Sequence, residues 1–410
     1  MPSEARSLES DQYVTSLASI VTLAAFGLLG NTTAIILPII VGALMDAGLS
    51  ARDVGYAESA DMAGIALGAL LWSRLILKWN WRWAAASAIP VAVAGNLLCA
   101  LLPTFGPVVF GRLLSGFGSG LLAAIGSSGL AQTRHPERVF GLSSTANMVV
   151  AAGFVYTFTF IGHRQGSWAV FVGVACIITA CTLGLRFLPT RSSQARRDVI
   201  AATPDVAARV STIPWRPACF ALTGIWAFFV GALVFWSYAE RVAVVAGFST
   251  TFIARALGFS QIMGACGALL TAVIATYSRR RLRPVVGYTA LAAVAAIILT
   301  TQGVQPWPFF AAVCMLSAAW SGIYPYFIGT MVTLDPTARL VSLMITISFI
   351  GKAMASPIAG YLARGNDYSL AYYCSAVFFA CCLALMLMPV LRTDRTVYAG
   401  ADALATGSIA

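Results

Sequence analysis

Long apolar stretches separated by short polar segments dominate the pattern of this chain. A helix needs about 20 mostly apolar residues to cross the hydrocarbon core of a bilayer, so each stretch is long enough to be a membrane span. Continuous runs of this length predict helices, whereas a membrane β-barrel would show alternating segments of about ten residues. We predict twelve spans, at approximately 14–40, 54–77, 83–103, 107–130, 139–162, 167–188, 216–239, 250–277, 284–303, 306–333, 337–362 and 368–391.

The composition agrees with a chain that lives in a bilayer. Hydrophobic residues make up 59% of it, charged residues only 10%, and the mean hydropathy is +0.83. These values lie outside the range of ordinary soluble domains. The nine cysteines fall inside apolar runs without metal-ligand spacing, so we expect neither a disulfide framework nor a metal site.

Two segments about half a chain apart repeat each other. Residues 48–71 align without a gap on residues 247–270, with Gly48 on Gly247 and the sequence Gly-Ala-Leu-Leu at the end of both. Both copies lie between long apolar stretches. An internal repeat of this kind is typical of secondary transporters that are built from two similar halves.

The longest polar segment outside the spans divides the chain between the sixth and seventh of them. We interpret it as a cytoplasmic linker, although a regulatory binding segment is an alternative. The fold predicted is therefore an all-α membrane protein with 12 transmembrane helices in two pseudo-symmetric six-helix bundles. The first bundle covers 1–188, the linker 189–214, and the second bundle with a short cytoplasmic tail 215–410.

Basic residues concentrate in alternate loops and so indicate the orientation. The loops on one side carry most of the arginines, including four within 279–283, whereas the opposite loops hold only Arg52, Arg164, Arg241 and Arg364. By the positive-inside rule both termini are cytoplasmic, and in a bacterium the protein would lie in the inner membrane. The net charge of +11 then reflects topology, and we expect no nucleic-acid partner.

The fourth span carries a specific motif. Its sequence Arg112-Leu-Leu-Ser-Gly116-Phe-Gly118-Ser-Gly120 matches an RxxxGxGxG pattern, and with the twelve spans and the repeat it makes the chain resemble the major facilitator superfamily. The loop after the second span departs from that family's GxxxDRxGRR motif, because it lacks the aspartate and the second glycine. The fifth span also lacks the Gly-Pro signature of many antiporters in the family.

Arg112 in the fourth span and Lys352 in the eleventh lie where a charge is costly. A charged side chain near the middle of a span costs on the order of 2.5–3.5 kcal/mol, so it needs a partner, a watery cavity or a function. Either cation could hold a substrate anion, Arg112 through two parallel hydrogen bonds. The alternatives are a structural hydrogen bond from Arg112 to a neighbouring helix and an ion pair that satisfies Lys352.

Glu58 and Asp61 lie three residues apart and therefore share one face of the second span. Two carboxylates in a poorly hydrated site are suited to carry a proton. Alternatively, Glu58 is interfacial and Asp61 pairs with Arg112 or Lys352.

Three further polar residues are candidates for contact with a substrate. Arg255 in the eighth span could be a gate or a second anion contact, or could extend to the membrane surface. Asn31 in the first span and Asn147 in the fifth need hydrogen-bond partners in hydrocarbon, from a substrate or a neighbouring helix.

The resemblance implies that the first, fourth, seventh and tenth spans line a central cavity with one binding site between the halves. It makes several aromatic residues cavity candidates, with packing or interface anchoring as the alternative. They are Trp226, Trp236, Trp320, Tyr324 and Tyr326.

The sequence thus predicts a proton-coupled secondary active transporter that works by alternating access. Buried cations favour a small organic anion, such as an apolar or aromatic carboxylate, and the missing antiporter signature favours uptake by symport. The alternatives are a proton-driven drug or metabolite efflux antiporter and a non-transporting membrane receptor or scaffold. We expect no enzyme activity and no cofactor. The expected partners are a small-molecule substrate, protons and the lipid bilayer, and the expected state is a monomer.

Overall fold

A computed structural model describes residues 16–75, 79–130, 133, 136–189, 213–277, 280–301, 304–335, 339–364 and 367–405, and the predicted linker lies almost wholly outside them. Every regular element in these ranges is helical. The α-helices are Leu17–Ile35, Leu37–Asp46, Ala51–Leu75, Trp81–Leu101, Phe105–Leu130, Pro136–Gln165, Ser167–Ala180, Trp215–Ser237, Ala239–Val245, Thr250–Tyr277, Leu282–Thr301, Pro306–Leu334, Arg339–Leu362 and Ser369–Ala405, and a 3-10 helix covers Cys181–Phe187.

We number the spans one to twelve in chain order. Three of them consist of two helices each: the first contains both helices before Ala47, the sixth includes the 3-10 helix, and the seventh includes Ala239–Val245. Within the described residues, ten segments are long and apolar enough to cross a bilayer, and they correspond to the third through twelfth spans. The second span, Ala51–Leu75, is less apolar because it carries charged residues that include Glu58 and Asp61.

The first span is broken at Ile36, which leaves the helical conformation at φ −90° and ψ 9°. Pro38 follows in the first turn of the next helix, where its missing N–H and fixed φ are tolerated. The same ring would clash with the preceding turn of an unbroken helix. The break at Ile36 therefore places Pro38 where a proline is tolerated, whereas Pro90, Pro325, Pro357 and Pro389 lie inside continuous helices.

The chain forms two compact units, residues 1–209 and 210–410. In the first unit the fourth span packs against the first, second and third spans. In the second unit the tenth span packs against the eighth and ninth, while the seventh packs against the eleventh and twelfth. The seventh span is the most buried of these helices, and Phe228, Phe229 and Phe235 are each at most 1% exposed.

Large apolar side chains also cover the outside of both units. Trp83 is 76% exposed, and Trp307 is 77% exposed. Soluble proteins rarely expose broad apolar surfaces, whereas a bilayer solvates them. The outward-facing apolar residues therefore agree with a protein embedded in lipid.

The repeated segment corresponds to the same turn in both units. Gly48 and Gly247 have φ of 98° and 79°, a left-handed conformation that ends a helix and favours glycine. Two residues later, the hydroxyls of Ser50 and Ser249 accept the N–H groups of Asp53 and Phe252, at 3.1 and 3.3 Å. These side chains cap the start of the next span. In both units the repeat therefore begins with a glycine that ends one helix and a serine that caps the next.

Replacing Gly247 with alanine should destabilise the protein by about 1–2 kcal/mol, because a Cβ is disfavoured at this positive φ. The unfolding temperature in detergent should fall by roughly 2–4 °C. Gly106→Ala is the matched control, since a Cβ at Gly106 would meet no atom within 4 Å and its φ is not positive. Equal effects of the two substitutions would contradict this account of the turn.

Candidate functional site

The second and fourth spans bring three charged side chains together inside unit 1. Arg112 Nε lies 3.2 Å from Glu58 Oε1, and Arg112 Nη2 lies 3.2 Å from Asp61 Oδ2. Arg112 Nη2 also donates to Glu58 Oε2 at 3.3 Å. All three side chains are at most 1% exposed. We call Glu58, Asp61 and Arg112 the charge cluster.

Glycine lets the two spans approach closely enough to form this cluster. A Cβ at Gly116 would overlap the backbone carbonyl of Asp61, so any larger residue would push the second span away. Gly116 lies one turn after Arg112 on the same helix. The motif of the fourth span therefore has a structural role, because Gly116 allows close packing of the helix that carries both carboxylates.

A second polar contact joins the third and fourth spans. The Asn96 side-chain amide donates to Ser115 Oγ at 2.8 Å and to the Ala92 carbonyl at 2.9 Å, and both side chains are buried. We did not single out Asn96 or Ser115 in the sequence. A lone amide within an apolar run is the feature that could have identified this contact.

The charge cluster contains two carboxylates and one guanidinium. If all three groups are ionised, it carries one negative charge that no cation within it balances. A buried charge without compensation is strongly unfavourable. Addition of one proton to either carboxylate makes the cluster neutral, so its composition is suited to taking up and releasing a proton.

Lys352 in the eleventh span lies among aromatic rings. Its Nζ is 4.9 Å from the ring centres of Phe229 and Phe349 and 5.7 Å from the ring centre of Trp320. The ion pairs found among the described residues do not include Lys352. We call Lys352, Phe229, Trp320 and Phe349 the aromatic cage.

Two of the other predicted aromatic residues lie beside the aromatic cage. The ring of Tyr324 is 6.2 Å from that of Phe229, and the backbone and ring of Trp226 border Gly351, which precedes Lys352. Tyr326 instead faces Tyr288, at 6.3 Å between ring centres.

The remaining candidates are not joined to either cluster by the contacts described. Trp236 is 4% exposed in the seventh span. Arg255 is exposed and Asn147 half-buried, while Asn31 lies in the first helix with its side chain outside the described part. Their roles stay predictions, as does direct contact of Arg112 with a substrate.

Comparison with known proteins identifies relatives by family and by fold. A family model described as Major Facilitator Superfamily matches residues 21–338. No curated protein matches the sequence closely enough to be counted as a relative.

Solved structures resemble the chain over most of its length. A D-xylose–proton symporter aligns with a TM-score of 0.71 and 13% identity, covering 90% of this chain and 97% of its own. The xylose transporter XylE from E. coli in an inward-open conformation gives 0.71 and 14%, covering 91% and 96%. The E. coli fucose–proton symporter FucP gives 0.57 and 15%, covering 91% and 98%. At these identities the similarity establishes the fold alone, and it confirms the predicted twelve-helix architecture.

Replacing Arg112 with methionine should destabilise the protein by about 3–5 kcal/mol, since it leaves two buried carboxylates without their cation. The control is the triple variant Glu58→Met, Asp61→Leu and Arg112→Met, which removes every charge and should recover most of the loss. Thermal unfolding in detergent measures both. A triple variant as unstable as the single one would show that lost packing, rather than unbalanced charge, causes the effect.

Proposed function

The chain belongs to the Major Facilitator Superfamily, and we propose that within it this protein is a proton-coupled secondary transporter of small organic anions. We propose alternating access as its mechanism and uptake by symport as its direction. The observation that carries the proposal is the aromatic cage, because it holds an ammonium group without a carboxylate in salt-bridge distance among the described residues.

Energetics support an anion as the missing partner of Lys352. Aromatic faces attract a cation by about 0.5–2 kcal/mol each, whereas desolvation of an ammonium costs several kcal/mol even after the protein relaxes. Lys352 is half-buried, and the three rings together contribute about 1.5–6 kcal/mol, which meets the cost of full desolvation only at the upper end of that range. A carboxylate on the substrate would complete the compensation and would bind most strongly where water is excluded.

The rings also indicate the chemistry of the rest of the substrate molecule, beyond its carboxylate. The ammonium is surrounded by the apolar rings of Phe229, Trp320 and Phe349. Tyr324 adds a further ring beside Phe229. Such surfaces bind aromatic or aliphatic groups through burial and edge-to-face contacts. The substrate class that fits best is thus an apolar or aromatic monocarboxylate.

We assign proton coupling to the charge cluster. Its excess carboxylate would bind a proton, and Arg112 would balance the other carboxylate. The neutral cluster would then lower the free-energy cost of the conformational change that carries the loaded substrate from one side of the membrane to the other. The proton symporters among the structural neighbours are consistent with coupling in this fold. Those neighbours carry sugars, so neutral sugars are a necessary comparison in any substrate screen.

Two other functions are separated by simple measurements. An efflux antiporter would move substrate in the direction opposite to the protons. In proteoliposomes with an imposed pH gradient, its substrate flux would therefore run opposite to that of a symporter. A non-transporting receptor would bind ligands without any flux. A thermal-shift screen with carboxylates, neutral sugars and hydrophobic cations identifies the class that binds, since a ligand stabilises the folded state.

Lys352→Met should abolish stabilisation by benzoate and reduce its counterflow at least about tenfold, because the attraction of the ammonium for the carboxylate is lost. Lys352→Arg should retain part of the stabilisation by benzoate and part of the benzoate counterflow. Protein-free liposomes measure passive entry, and Arg164→Gln, which changes an exposed arginine, is the control variant. Unchanged binding and flux in Lys352→Met would contradict the proposed role.

Asp61→Asn should fold, because it leaves one carboxylate with one guanidinium in the charge cluster. We expect it to retain counterflow but to lose accumulation driven by a pH gradient, and Glu58→Gln should be tested in parallel. If both variants still accumulate substrate when a pH gradient is imposed, the cluster is structural and the proton site lies elsewhere.

A further inference from the structure

A groove opens between the eighth and ninth spans at the end of unit 2 that carries the arginine-rich loop. It encloses about 480 Å³. The eighth span packs chiefly against the tenth, and the ninth packs against the twelfth and the tenth, so the eighth and ninth spans have little contact with each other. Leu270 and Ile274 of the eighth span form one wall, and Gly287 and Leu291 of the ninth form the other.

Tyr288 forms the floor of the groove, and its hydroxyl is hydrogen-bonded within the protein. Its hydroxyl donates to the Gly267 carbonyl at 3.0 Å and lies 2.9 Å from Thr271 Oγ1. The floor is therefore fixed, and it presents its ring rather than its hydroxyl to the groove. An occupant of the deep part would meet almost entirely apolar surface.

The mouth of the groove is strongly basic. Arg280 and Arg283 line it, and both are exposed. Arg281, which lies between them, turns away: its Nη1 donates to Thr333 Oγ1 at 2.6 Å. The carboxylate of Asp394 accepts the backbone N–H groups of Arg281 and Leu282 at 3.1 and 3.2 Å. This loop is thus held in place while two guanidinium groups border the groove.

Glycine keeps the groove open. A Cβ at Gly287 would meet no atom within 4 Å, so the space beside the ninth span is not filled by another side chain. Between the second and third spans of unit 1, by contrast, two buried indoles are in contact. Trp72 and Trp81 pack edge to face with their ring centres 5.4 Å apart.

We propose that this groove binds an anionic phospholipid of the surrounding bilayer. Its phosphate would lie at Arg280 and Arg283, since guanidinium groups bind phosphate oxygens through paired hydrogen bonds. Its acyl chains would follow Leu270, Ile274 and Leu291 toward the apolar part of the membrane. A basic mouth on an apolar groove at the membrane surface is complementary to this amphipathic ligand. A zwitterionic headgroup carries the same phosphate together with a quaternary ammonium, which the two arginines repel, so we expect such a lipid to bind more weakly. The proposal depends on the membrane embedding and not on the transported substrate.

Lipid titration of the purified full-length protein in detergent tests the proposal. Dioleoylphosphatidylglycerol should raise the unfolding temperature and remain bound in native mass spectrometry, whereas dioleoylphosphatidylcholine, with the same acyl chains and phosphate but no net charge, should stabilise the protein less and be retained less. Inorganic phosphate alone should give no stabilisation. Equal binding of both lipids would overturn the proposal. Stabilisation by phosphate equal to that by the anionic lipid would also overturn it.

Variants locate the site. The pair Arg280→Gln and Arg283→Gln should weaken phosphatidylglycerol binding at least about tenfold, while the control pair Arg216→Gln and Arg392→Gln, also exposed arginines of unit 2, should not.

Gly287→Leu should block the groove, with Gly153→Leu as its control, because a Cβ at Gly153 also meets no atom within 4 Å. If Gly287→Leu does not fold, the arginine pair decides alone, because it alters only exposed side chains. Equal losses in the test pair and the control pair would refute the assignment to the groove.

Discussion

An ionised side chain in the apolar part of a bilayer must be compensated by an opposite charge, by a polarisable surface or by water, and this constraint shapes both units of the protein. In unit 1 the compensation is ionic, since Arg112 contacts Glu58 and Asp61 within a fully buried cluster. In unit 2 it is aromatic, since three rings surround Lys352. Close packing at Gly116 brings the second span, which carries both carboxylates, within reach of the guanidinium of Arg112.

Neither form of compensation is complete, and this imbalance is what connects the fold to a function. The charge cluster has one carboxylate more than it has cations, so one added proton would make it neutral. The aromatic cage attracts an ammonium but contains no carboxylate within ion-pair distance among the described residues, and we propose that an anion completes the compensation of Lys352. Transport of an organic anion with a proton would neutralise both at once. The arginines that border the groove of unit 2 would follow the same rule at the membrane surface if, as we propose, the phosphate of a lipid supplies the opposite charge.

Much of the architecture could be predicted because spans are encoded by local runs of apolar residues. The glycine and serine that the two repeated segments share are visible in the sequence, and the structure shows that they form the same turn in both units. The spacing of Glu58 and Asp61 placed them on one face, and pairing with Arg112 was among the alternatives. Phe229 and Phe349 could not be recognised as a cage, because nearly every residue around them is apolar and only the rotation and crossing of three helices brings their rings together. The Asn96–Ser115 contact depends on the same long-range packing.

The most direct test of the central claim is whether the organic anion and a proton enter together. Proteoliposomes with a trapped pH-sensitive dye, no imposed gradient and the carboxylate identified by thermal shift would report proton movement as substrate enters. The account predicts acidification of the lumen by the wild-type protein beyond that in protein-free liposomes, and at most about a tenth of this excess with Lys352→Met. Substrate entry without acidification, or acidification that is unchanged in Lys352→Met, would contradict it.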